Sequence, residues 1–169
     1  ANYLSQSVSV RFLDPFNGGF LGGTEIPLGT RPYTVEAGDF NHDGFKDLAV
    51  ANYDAGTVSL LKGAAGGTFP QRFDLSSGAS TTSARVVNLD NDLYDDIVST
   101  NAAANSVHVI RSNGTFGAAS TLDLPVGTGP NWVEIADLNG DGRRDLVVAN
   151  QFSNNITVLF DNGLGGYFA

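Results

Sequence analysis

Asp39-Phe-Asn-His-Asp-Gly-Phe-Lys-Asp47 returns twice along the chain, as Asn88-Leu-Asp-Asn-Asp-Leu-Tyr-Asp-Asp96 and as Asp137-Leu-Asn-Gly-Asp-Gly-Arg-Arg-Asp145. Each copy starts 49 residues after the one before, and oxygen-bearing side chains stand at positions 1, 3, 5 and 9 of all three. An apolar run follows every copy: Leu48-Ala-Val-Ala-Asn52, Ile97-Val-Ser-Thr-Asn101 and Leu146-Val-Val-Ala-Asn150. A hard divalent cation takes six to eight oxygen ligands, and a short loop alternating Asp or Asn with small or exposed residues can supply them.

The period extends past the loops. Thr57-Val-Ser-Leu-Leu61, Ser106-Val-His-Val-Ile110 and Asn155-Ile-Thr-Val-Leu159 follow in step, and a glycine-aromatic turn comes next at Gly67-Thr-Phe69, Gly114-Thr-Phe116 and Gly166-Tyr-Phe168. Residues 1–20 match residues 149–168, a further copy of this second half only. Each unit predicts four short strands. Strand A (33–38, 131–136) leads into the acidic loop. Strand B (48–51) is apolar nearly throughout, so covered on both faces. Strand C alternates, with Val107 and Val109 inward and His108 outward. Strand D (72–75, 121–124) is the most polar and suits an outer edge.

No window has useful helical periodicity, and a period of 40–50 residues with four strands per unit predicts an all-β propeller of antiparallel blades. The residues divide into a partial repeat 1–30, repeats 31–79 and 80–128, and a partial repeat 129–169. That makes three A–B units but four C hairpins, about 3.4 blades. Such a chain is expected to be either a segment of a longer propeller or one part of a homo-oligomeric ring. An EF-hand loop would need an acid at position 12, where Val50, Ser99 and Val148 stand instead.

Composition bounds the chemistry. The 169 residues suffice for one domain-sized core, and the net charge is −9. Ten of the eighteen acids lie in the three loops, so the charge reads as ligand and not as a surface for a basic partner. No Lys/Arg cluster exists to neutralise phosphates, which excludes nucleic acid. No stretch approaches the ~20 apolar residues of a membrane span. There is no Cys and no Met, hence no disulfide framework, and no signal peptide is evident.

The first loop is assigned Asp39, Asn41, Asp43 and Asp47 as side-chain ligands and the carbonyl of Phe45, with Gly44 making the turn. The third is assigned Asp137, Asn139, Asp141 and Asp145 with the carbonyl of Arg143, turning at Gly142. The second keeps Asn88, Asp90, Asp92 and Asp96 with the carbonyl of Tyr94. Leu93 replaces its turn glycine, at a cost of ~1–2 kcal/mol if it must be left-handed, so a weaker or differently shaped site is expected there. The metal-free alternative is an Asx-rich hairpin turn. With no His or Cys in ligand positions, calcium is expected over zinc or copper, and over magnesium because the cage is all protein oxygen.

Asp-x-Asn-x-Asp-Gly-x-x-Asp-Leu, then Val-Ala-Asn, then Gly-Gly-x-Phe resembles the FG-GAP/VCBS-type repeats, related to the blades of the integrin α-subunit propeller. The resemblance covers essentially the whole chain. It implies an extracellular, calcium-loaded propeller: an adhesion module or lectin, or an accessory domain of a secreted enzyme. A non-catalytic recognition module for a glycan or protein partner, secreted or at the cell surface, is therefore expected. The alternative is a structural accessory part of a secreted polysaccharide-active enzyme. No nucleophile elbow or phosphate loop occurs, and paired carboxylates occur only in the loops. Glu36, Arg85 and Glu134 occupy equivalent strand-A positions and are expected to be structural. His42 and His108 are expected at the surface. Trp132 and Tyr33 are expected to pack between blades, the alternative being that they stack on sugar rings.

Overall fold

The structure is a computed structural model that describes residues 1–118 and 120–169. It is built of antiparallel strands joined in sequence order, with no helix among the described residues. A two-stranded half-blade comes first, β1 (Ser7–Val10) against β2 (Thr24–Pro27). Three four-stranded blades follow. They are β3 (Pro32–Gly38), β4 (Asp47–Asn52), β5 (Thr57–Ala64) and β6 (Thr68–Ser76); β7 (Thr81–Val87), β8 (Asp96–Asn101), β9 (Ser106–Arg111) and β10 (Ser120–Pro125); β11 (Pro130–Ala136), β12 (Asp145–Asn150), β13 (Asn155–Asp161) and β14 (Tyr167–Phe168). These are the A–B–C–D units anticipated from the 49-residue period, and β1–β2 is the extra C–D pair. The blades form an open arc.

Side chains alternate faces along a strand, so stacking sheets buries two rows per strand. Val8 and Leu28 of the half-blade meet Val50 and Leu61 of the first blade. Ala49, Val58 and Leu60 on that blade's other face meet Ala84, Ile97 and Ile110 of the second. Val98, Val107 and Val109 then meet Val133, Leu146, Val148 and Leu159 of the third. The two central blades are thus covered on both faces, which is why β4 and β8 are apolar or small along most of their length.

The same stacking overturns one expectation. His108 is not a surface residue: its side chain is only 12% exposed, and Nδ1 lies 2.7 Å from the Asp123 carboxylate. Alternation on strand C is real, but its polar face is also roofed by a neighbouring blade. His42, in contrast, is exposed as expected. The far face of the third blade is not covered by another sheet among the described residues. Ile156 is 63% exposed there, whereas its equivalents Val58 and Val107 are fully buried.

The first strands of the blades carry a charge ladder. Arg85 on β7 pairs with Glu36 on β3 and, at 2.6 Å, with Glu134 on β11. Glu36 also accepts the Val86 N–H at 2.8 Å. Replacing Arg85 by Met would leave two like charges unpaired on the strands either side of β7. A stability loss of roughly 1–2 kcal/mol is expected, between the values for exposed and buried pairs. Urea midpoints should show the gap shrinking at ~1 M salt, where the Debye length is about 3 Å; a salt-independent gap would point to lost packing instead.

Candidate functional site

All three acidic loops connect a first to a second strand, so they emerge at one end of the blades. Gly38 pairs with Asp47 beside the first loop, while Pro32 pairs with Asn52 at the opposite end. Each loop is held at its second residue by an apolar plug. Phe40 and Leu89 are buried between blades; the equivalent Leu138, on the face that no described sheet covers, is half-exposed.

The ninth position does more than the sequence suggested. Asp47, Asp96 and Asp145 are fully buried. Asp47 accepts N–H bonds from Phe40 at 3.0 Å and from Gly63 at 2.7 Å, one on each oxygen. Asp96 does the same for Leu89 and Ser112, both at 2.9 Å, and Asp145 for Leu138 at 2.9 Å and Asp161 at 3.0 Å. Each aspartate therefore clamps the start of its loop to the end of the third strand. The partners are backbone N–H groups, which leave no side-chain signature. The only trace in the sequence is a constant offset of sixteen residues from the clamp to its third-strand partner.

The remaining ligand candidates lie around these clamps. Asp39 accepts the N–H groups of Asp43 and Gly44 at 3.2 and 3.0 Å. Asp137 accepts those of Gly140, Asp141 and Gly142 at 2.7–3.2 Å. Asn41 and Asn139 each donate to the carboxylate two residues on, at 2.8 and 2.9 Å. Phe45 and Arg143, the expected carbonyl ligands, donate their own N–H to Asp43 and Asp141 at 3.0 and 2.8 Å. One basic group approaches each loop: Lys62 at 3.4 Å from Asp43, Arg111 at 3.8 Å from Asp90, and Arg143 at 2.7 Å from Asp141.

The second loop departs from the others in shape. Asn88 donates its amide to the Asp92 carbonyl and does not gather loop N–H groups. Its Oδ1 is buried without a hydrogen-bond partner. The expected strained Leu93 is not found. Position 4 is left-handed in all three loops (His42, Asn91, Gly140), and position 6 only where it is glycine, at Gly44 and Gly142. The backbone changes course at Leu93 instead of forcing a side chain into the left-handed region. Asp95, at position 8, reaches across to the first loop and accepts the Asp39 N–H at 2.8 Å, a blade-to-blade tie that the sequence did not signal.

Charge crowds in these loops. Burial, and then the neighbouring charges of Asp43 and Asp39, push the Asp47 carboxyl up despite its two N–H bonds. Burial pushes Asp96 up to about 6, with Asp90 and Asp92 adding to it. Hard oxygen donors gathered this closely fit a divalent cation of the calcium type. Among the described residues no three His, Cys, Asp or Glu side chains converge as a ready cage, because the carboxylates are turned onto loop N–H groups.

The opposite end of the blades is aromatic. Tyr33 and Trp132, expected in the interior, are 45% and 43% exposed. Tyr33 stacks on Tyr53 with centroids 5.9 Å apart and meets Tyr3 edge-on at 6.2 Å. Trp132 lies under the Arg85 guanidinium at 5.3 Å. First-strand residues of this register line the inner rim of the arc and not the space between sheets.

The FG-GAP-like repeat family model matches residues 39–99 and again residues 88–148. The chain belongs to the FG-GAP-like repeat family. Each FG-GAP-like match opens at the first residue of an acidic loop and closes within the second strand of the next blade, so loop and blade repeat together. No curated protein matches this chain.

Proposed function

We propose that this FG-GAP-like protein is a non-catalytic, calcium-stabilised recognition module that works outside the cell. Three crowded acidic loops at equivalent positions at one end of a propeller-like arc carry the reading. Asp39, Asn41, Asp43, Asp47 and the Phe45 carbonyl would hold one ion. Asp137, Asn139, Asp141, Asp145 and the Arg143 carbonyl would hold a second, with a weaker site at Asn88, Asp90, Asp92, Asp96 and Tyr94. The ion would supply charge neutralisation; the clamp aspartates keep each loop tied to its blade with or without it.

Glu36 and Glu134 are engaged by Arg85, and His108 by Asp123, so these three groups capable of acid–base chemistry already have structural partners. That supports recognition over catalysis, as does the frequent adhesive role of FG-GAP-like repeats. Sites of this type in extracellular modules fill at ~0.1–1 mM calcium, a level that supports a secreted or cell-surface location. Isothermal titration should find two calcium ions per chain in that range, and magnesium far weaker. Absence of calcium binding at ~5 mM, above the range for such modules, would refute the metal reading.

A further inference from the structure

We infer that the cavity at the end of the arc opposite the acidic loops is a binding site for a neutral saccharide. It encloses about 430 Å³, inside the ~300–1,000 Å³ range of small-ligand pockets. Four units of the fold meet there: Tyr3 from the segment leading into β1, Tyr33 and Tyr53 from the first blade, Thr82 from the second, and Asn131 and Phe152 from the third. The inference rests on the recognition reading above and names the ligand class.

One wall is preformed. Arg31 donates to the Tyr3 hydroxyl at 2.6 Å, and its guanidinium lies 5.0 and 5.8 Å from the Tyr3 and Tyr53 ring centroids. The Nε–Nη2 edge of that guanidinium is engaged by both oxygens of the Asp54 carboxylate. Arg31 is therefore a brace for the tyrosines, and its charge is already spent. It is also the only charged residue lining the cavity among the described residues, so nothing there selects a carboxylate, a phosphate or a peptide terminus.

The third blade contributes Phe152 to the lining, 71% exposed. Its ring lies against Gly129, where a Cβ would come within 2.4 Å of it and where φ is +64°. A side chain at that position would displace the ring. The polar groups offered to a ligand are the side-chain amides of Asn131 and Gln151, each of which both donates and accepts, while the Thr82 hydroxyl is already held by Thr100 and the Pro130 carbonyl. Apolar ring faces flanked by neutral donors and acceptors match a pyranose, which offers an apolar C–H face and a rim of hydroxyls.

The test uses the full chain in calcium, titrated with methyl glycosides of glucose, galactose, mannose, fucose and N-acetylglucosamine at up to about 10 mM, where even a millimolar site fills. Glucuronic acid is the charged comparison. The expected result is a shift of the Asn131 and Gln151 side-chain amide resonances by at least one neutral glycoside. Binding should weaken about tenfold or more in Tyr33→Ala and in Phe152→Ala and stay unchanged in Phe16→Ala, which alters a residue 92% exposed elsewhere. Phe152→Ala is the safer variant, since its ring supports no core. No response to any neutral glycoside, a response confined to glucuronic acid, or binding indifferent to both variants would overturn the assignment. Calcium stoichiometry measured on the same samples separates the readings. Bound calcium without saccharide removes only the pocket, and saccharide binding without calcium removes only the metal reading.

Discussion

Asp47→Ala is expected to cost about 3 kcal/mol of stability, and to cost it in chelator as well as in calcium. The carboxylate is fully buried and each of its oxygens holds one backbone N–H, from Phe40 and from Gly63. Hydrogen bonds to a charged acceptor are worth ~1.5–3 kcal/mol each, and alanine leaves both donors buried and unpaired. Part of that loss is returned, because burial already disfavours the ionised carboxyl and pushes its pKa up. The melting temperature should fall by roughly 6–12 °C, at about 2–4 °C per kcal/mol for a chain this long. Asp47→Asn can serve only one of the two donors and points its own amide hydrogens at the other, so it should be nearly as damaging. A loss below ~0.5 kcal/mol, the level of an ordinary surface substitution, would mean that the clamp is not what ties the loop to the third strand.

Calcium is expected to add a second part of the stability, coupled to the clamp only through Asp47 and its equivalents, which serve both. On the proposed reading, two sites with dissociation constants near 0.1 mM, each in ~10 mM calcium, stabilise the fold by about 2.7 kcal/mol apiece. Excess chelator should therefore lower the melting temperature by ~10–20 °C. Asp43→Ala and Asp141→Ala should each abolish about half of that calcium-dependent difference, since each removes a ligand at position 5 of one loop. Asp92→Ala should remove less, because its loop lacks both the first acid and the second left-handed residue. Differential scanning fluorimetry with calcium, magnesium and chelator in parallel reads all of these. Equal melting temperatures in calcium and in chelator would sink the proposal while leaving the clamp result untouched.

Much of this molecule is legible in the sequence because one design is written three times. Copies 49 residues apart with matching apolar rows force matching sheets, and the fourth strand C before Thr24 announces the half-blade. Ligand candidates were legible for the same reason, since position and residue type repeat together. What escaped notice depends on neighbours distant in sequence. His108 reads as an outward residue of an alternating strand, yet the adjacent blade encloses it beside Asp123. Trp132 and Tyr33 read as core aromatics, yet their register places them on the rim. Asp95 looks like one more loop acid until it bonds Asp39 of another blade.

Periodicity, residue type and spacing alone thus determined the strand order, the stacking of blades and the location of the acidic loops. These are properties of each repeat and its identical neighbours. Tertiary structure alone decided which aspartates are clamps, which aromatics see solvent and how Tyr3, Tyr33 and Phe152 come to share a cavity. Those outcomes depend on where strand ends from different blades converge, on the path of backbone N–H groups and on which faces a neighbouring sheet covers. None of that is encoded in the identity of any one side chain.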